Sequence, residues 1–161
     1  MVKPNNVTRL LDSRKVEYTA YELPAEKLGA VEAASYLGVS PELVYKTIVV
    51  KCEASGKPIL AVIPGDGELD LKLLAKAIGE KKVILPTERE AEQLTGLQAG
   101  GISPLALIQR GFQVVIDESA IPQKEIYISG GQRGLDIRLP VSALVNLTHA
   151  RLASISHSPG G

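Results

Sequence analysis

The sequence contains one cysteine, Cys52, two histidines, and as many basic as acidic residues, eighteen of each. A lone cysteine excludes an intramolecular disulfide and any cysteine metal cluster. Such scarcity suits a reducing compartment, and Cys52 reads as a small buried or edge thiol. Histidine chemistry is not expected either. His149 closes the last helical pattern, and His157 lies in the SHSPGG tail, which reads as a frayed end. Balanced charge points to no polyanion in bulk, although a local patch of lysines would serve a small footprint. No apolar run reaches membrane-spanning length, and the MVKPNN start lacks the core of a signal peptide. The expected location is the cytoplasm, with no membrane and no DNA partner. HExxH, a post-strand GxGxxG and a Walker loop are all missing. No metal or cofactor is expected.

What is present is a chain of 161 residues, 45% hydrophobic, enough for one packed core. It reads as a single domain over 1–161, with 157–161 as a frayed tail. NNVTRLLDSRK opens as a helix behind asparagine caps. YTAYEL reads as a strand, and AVEAASYL as a short helix closed by Gly38. Ser40-Pro41-Glu42 starts a brief helix. Residues 47–64 form a β-hairpin through the turn EASGKP. DLKLLAKAIG is amphipathic, with Leu71, Leu74, Ala75 and Ile78 on one face. KKVIL is a strand, and Thr87 with Glu90 makes a capping box for a helix ended by Gly96. FQVVID, EIYIS and LDIRLP are strands, and VSALVNL is a last helix. This alternation gives a mixed α/β fold, a barrel-like mixed sheet surrounded by helices, rather than a doubly wound parallel sheet.

Three stretches could carry chemistry. Lys46, in VYKTIVV, is either an outward lysine at a sheet edge or a fixed cation for a phosphate or ribose hydroxyl. Gly100 and Gly101, in AGGISP, either make a tight turn or let backbone N–H groups approach a developing oxyanion. In YISGGQRGLDIRL the glycines serve the turn, and Arg133 reads as a solvated tip. Ser129 and Asp136 stand at facing strand ends, with Asp136 on the opposite face from Leu135 and Ile137. A Ser129–Lys46 nucleophilic dyad is a further arrangement that spacing alone leaves open.

Taken in order and spacing, VYKT, GGISPL and YxSGGxRGLDIxL resemble the YbaK family of free-standing aminoacyl-tRNA deacylases, relatives of the editing domain of bacterial prolyl-tRNA synthetase. The likeness runs from about Thr8 to Ile155. It implies a mixed β-barrel wrapped by helices, and removal of cysteine from mischarged Cys-tRNA(Pro), assisted by the substrate thiol. Lys46 would hold the terminal ribose or phosphate, next to Thr47. Gly100 and Gly101 would orient and polarise the ester carbonyl. Ser129, Asp136, Tyr21 and Leu28 would line the aminoacyl pocket. Leu28 falls near a position where close relatives carry a bulky aromatic, which bears on the size of the residue removed. Lys72, Lys76, Lys81, Lys82 and Arg133 would form a modest surface for the acceptor stem, or else are a solvated helix face and turns. The expected partners are aminoacyl-tRNA and prolyl-tRNA synthetase. Removal of alanine or another small residue, and a regulator that binds aminoacyl-tRNA without turnover, are the competing readings.

Overall fold

The computed structural model describes residues 2–54 and 57–158. In chain order the regular elements are α1 (Asn6–Ser13), β1 (Thr19–Glu22), α2 (Ala30–Leu37), β2 (Tyr45–Cys52), β3 (Ile59–Pro64), β4 (Glu68–Leu69), α3 (Leu71–Ile78) and β5 (Val83–Ile84). They continue with α4 (Glu88–Thr95), β6 (Gln113–Asp117), β7 (Glu125–Ser129), β8 (Leu135–Pro140), α5 (Val141–Thr148), β9 (Arg151–Ala153) and β10 (Ser156–His157).

β3 organises the fold. Its ILAVIP run is buried along nearly its whole length, as a strand covered on both faces must be. It pairs antiparallel with β2 and parallel with β6, at the centre of a five-stranded sheet in the order β5-β2-β3-β6-β9. Its side chains alternate between two cores. Leu60 and Val62 join Val7, Leu11, Ile126, Ile128, Ile137 and Leu144 in the larger one. Ile59, Ala61 and Ile63 meet Leu74 and Ala75 of α3 in the other. Helices therefore cover a mixed sheet, as the alternation of patterns leads one to expect. A second, antiparallel sheet runs β1-β8-β7, and β10 pairs with β4. The two larger ladders meet at one parallel bridge, Val44 to Tyr127.

Local chemistry accounts for most boundaries. Asn5, Asp70 and Thr87 cap α1, α3 and α4, each accepting a backbone N–H on its side chain. Gly38, Gly79 and Gly96 end their helices in left-handed geometry. The brief helix after Ser40 is one 3-10 turn, Pro41–Leu43, because the chain must extend immediately into β2. KKVIL contributes only Val83 and Ile84 as a strand, against the end of β2. The turn read at EASGKP includes residues 55 and 56, which lie outside the described residues. The tail differs from expectation at its start: His157 pairs with Glu68, while 159–161 lie outside the described residues. Among the described residues no helix is long and apolar enough to cross a membrane.

Candidate active site

The β7–β8 ladder puts Ser129 directly across from Asp136. Both therefore project from the same face at the base of the loop, while Ile128, Leu135 and Ile137 are buried on the other. The loop between them needs its glycines. A Cβ on Gly130 would stand 2.5 Å from the Leu135 side chain, and Gly134 has a φ of +85°. The bridge between Val44 and Tyr127 sets the start of β2 beside β7, which carries Lys46 and Thr47 to this face. The Lys46 ammonium donates to the Gly65 carbonyl at 3.3 Å. Gly65 is a second close approach: a Cβ there would lie 2.6 Å from the Val44 carbonyl oxygen.

Lys46, Thr47, Ser129, Asp136 and Gly100 line one cavity of about 240 Å³, together with Leu28. Those six expectations are brought together. Leu23, Ala30, Ala33, Val44 and Ile102 complete its apolar wall. The α2 residues among them, Ala30 and Ala33, have no feature in sequence that marks them; small side chains three apart on a helix are equally a packing face.

The glycine loop differs from expectation in detail. Gly100 lines the cavity with a φ of +90°. Gly101 does not line it, and its N–H donates to the Gln98 carbonyl at 2.8 Å. No hydrogen bond among the described residues engages the Gly100 N–H, so it rather than that of Gly101 is available to a ligand. A Cβ on Gly101 would sit 2.8 Å from the Gln132 Cα, so this glycine serves the contact between the loop and the hairpin. Arg133 is no solvated tip. Its Nε donates to the Ala99 carbonyl at 2.7 Å, tying the same two loops together.

Tyr21 lies opposite Asp136 on β1, but its ring packs on Tyr127 at 5.6 Å, with the Arg138 guanidinium 6.0 Å from its centroid. It backs the site without lining the cavity. Lys72, Lys76, Lys81 and Lys82 are exposed and none lines it. Lys81 and Lys82 precede β5, which pairs with Lys51 and Cys52. That is the far end of β2 from Lys46, roughly 17 Å along the strand at about 3.3 Å per residue.

Two groups in the cavity have distinct electrostatics. Asp136 is only 9% exposed, and no hydrogen bond or ion pair among the described residues reaches its carboxylate. Burial therefore pushes its pKa up from 3.8 to about 6. Beside Lys46, burial raises the Tyr45 phenol, whose hydroxyl is 2.8 Å from that of Ser119. The Ser129 hydroxyl donates to the Gly100 carbonyl at 3.5 Å and accepts from the Gly131 N–H at 3.3 Å. It is not hydrogen-bonded to Lys46, so the nucleophilic dyad lacks its base contact. Among the described residues no cluster of His, Cys, Asp and Glu could hold a metal ion.

Residues 24–147 match the family described as the aminoacyl-tRNA editing domain. The chain is 37% identical to EbsC of Enterococcus faecalis, a protein named provisionally as a Cys-tRNA(Pro)/Cys-tRNA(Cys) deacylase, over 94% of this chain and 92% of that one. It is 35% identical to a stretch of the proline–tRNA ligase of Thermodesulfovibrio yellowstonii, over 76% of this chain but only 20% of the ligase. Among solved structures, hypothetical protein APE2540 superposes with a TM-score of 0.86 at 29% identity, covering 95% of this chain and 100% of the other. A protein titled provisionally as a trans-editing enzyme for prolyl tRNA synthetase shares the fold, with a TM-score of 0.79 at 24% identity over 98% of this chain and 100% of that one.

Proposed function

The chain belongs to the aminoacyl-tRNA editing domain family, and on that premise we propose that its cavity cleaves the cysteinyl ester of mischarged Cys-tRNA(Pro). The protein is an aminoacyl-tRNA deacylase. One observation carries the assignment of its site: a buried carboxylate that no described residue pairs with, Asp136, shares a small cavity with the one ammonium group among its described lining residues, that of Lys46. An aminoacyl ester offers one group to each. Its α-ammonium answers Asp136, and the ribose or phosphate of the terminal nucleotide answers Lys46. The Gly100 N–H then faces the ester carbonyl and stabilises the charge that develops there. Gly101 holds the spacing between that loop and the hairpin, Thr47 and Ser129 complete the polar wall, and Leu28 bounds the aminoacyl group. Tyr21 acts from behind Asp136.

This arrangement positions and polarises an ester without offering an activated nucleophile. The thiol of the bound cysteine supplies one. Its sulfur bonds to the ester carbonyl carbon, the carbonyl–ribose oxygen bond breaks, and the thiol proton leaves on the ribose hydroxyl. Water then opens the resulting thiolactone. No cofactor or metal enters these steps. The relationship to proline–tRNA ligase supports an action in trans on that enzyme's errors, in the cytoplasm, with the ligase as partner. We read 1–161 as one editing domain. Lys72, Lys76, Lys81 and Lys82 would contact the acceptor stem away from the cavity, and Arg133 would do so from the loop at its rim.

The test is deacylation of purified Cys-tRNA(Pro), Ala-tRNA(Pro) and Pro-tRNA(Pro) by the wild type and by Lys46→Ala. Loss of the cysteinyl ester alone, dropping at least a hundredfold without Lys46, is the expected result on the scale of an electrostatic anchor. Preferred loss of the alanyl ester would move the substrate, and an undiminished Lys46→Ala protein would sink the role of the lysine. Failure to turn over any of the three would leave a binding protein.

A further inference from the structure

The hairpin that carries Ser129 and Asp136 is held in place partly from the other end of the sequence. Asn5 caps α1: its Oδ1 accepts the Thr8 N–H at 2.9 Å, and its own N–H donates to the Thr8 hydroxyl at 2.9 Å. The other half of the same amide faces the hairpin. Its Nδ2 donates to the Gly130 carbonyl at 2.9 Å and to Gln132 Oε1 at 3.2 Å. Oδ1 meets a donor and Nδ2 meets two acceptors, so the network fixes which way the amide points. Gly130 directly follows Ser129, and both of its backbone groups are engaged, the N–H with the Leu135 carbonyl at 2.8 Å and the carbonyl with Asn5. Gly131 rests on α1 as well: a Cβ there would lie 3.0 Å from Val7, which is itself buried.

We propose that Asn5 is a positioning residue of the deacylase site: its amide couples the start of α1 to the loop that sets Ser129 against Gly100. The proposal rests on the deacylase reading above. Its physical core is residue choice. Asparagine, aspartate and serine cap helices about equally well. Only asparagine can cap with an oxygen and donate with a nitrogen at once. Aspartate would turn an acceptor toward two oxygens, and serine is too short to reach them. The contacts it controls inside the site are long, 3.5 Å from Ser129 to Gly100 and 3.3 Å from Gly131 to Ser129. Bonds at that length hold a loop weakly, so the external clamp works with the Arg133–Ala99 tie to set where the wall stands.

Asn5→Ser and Asn5→Asp keep the cap and remove the clamp, whereas Asn5→Ala removes both. Deacylation kinetics on Cys-tRNA(Pro), melting temperature, and amide exchange at Gly130 and Gly131 would be measured for all three. The expected result is a kcat lowered about tenfold in Asn5→Ser and Asn5→Asp, with KM changed less, as small misplacements of a catalytic wall produce. Both should melt close to the wild type, while Asn5→Ala melts lower without a further loss of kcat. Exchange at Gly130 and Gly131 should accelerate in Asn5→Ser while Arg9, inside α1, keeps its protection. Wild-type kcat and unchanged loop exchange in Asn5→Ser would overturn the proposal, as would activity that falls only in step with melting temperature. If the wild type itself deacylates none of the charged tRNAs, the functional reading fails; the exchange arm still decides whether Asn5 clamps the loop.

Discussion

Replacing Asp136 with asparagine should stabilise the protein at neutral pH, and by an amount that grows with pH. In the unfolded chain this carboxyl ionises near 3.8, whereas in the fold burial holds its proton until about 6. Between those values the folded state binds more protons than the unfolded one, so the contribution of Asp136 to stability falls as pH rises through this window. Below it the carboxyl is neutral in both states. Above it the whole cost is present, about two pKa units at about 1.4 kcal/mol each, or roughly 3 kcal/mol. Asparagine has nearly the same shape and does not ionise. The free-energy difference between Asp136→Asn and the wild type should therefore rise from near zero around pH 4 to an upper limit of about 3 kcal/mol at pH 7.5, equivalent to roughly 6 to 12 °C in Tm for a chain of this size. Urea unfolding of both proteins at several pH values reads it, and the difference cancels every other titrating group. A difference that stays flat between pH 4 and 7.5 would refute the reasoning. The same substitution should impair turnover, since a destabilising buried carboxylate is worth keeping only where it meets a ligand.

Gly101→Ala should destabilise the fold by about 1–3 kcal/mol, because its Cβ would lie 2.8 Å from the Gln132 Cα and backbone must move to admit it. Its thermal melt and its deacylation rate should fall together, and a variant that melts like the wild type would mean the two loops are not in contact. Ser129→Ala should retain activity to within about tenfold, since the hydroxyl helps shape the wall and, among the described residues, bonds only backbone groups. A loss beyond about a thousandfold would instead mark it as a nucleophile.

Much of this site was legible because its residues break local rules. A lysine inside VYKTIVV and an aspartate inside LDIRL are costly unless something uses them, and the structure puts both on one cavity. Paired glycines announce a close approach but not which backbone group it serves, and so the available N–H is that of Gly100, not Gly101. Likewise Arg133 looks solvated until its partner, the Ala99 carbonyl 34 residues away, is known. The short strands at 68–69, 151–153 and 156–157 carry no period of their own. The strand at 151–153 forms on the edge of β6, and those at 68–69 and 156–157 form only by meeting each other, which is tertiary information. Asn5 shows the limit most plainly: in sequence it is a good helix cap, and its second pair of hydrogen bonds spans more than 120 residues.

The cavity draws its walls from residues 23–33, 44–47, 99–102 and 129–136, four segments spread along almost the whole chain. None of them can form the site with its sequence neighbours. A nascent chain still lacking β8 has no Asp136, and one lacking β7 has no Ser129. Esterase capability should therefore appear only after β8 has joined the sheet, since such distant contacts close late. An unfinished or clipped copy should be inert rather than indiscriminate, an advantage in a protein that must spare correctly charged tRNA.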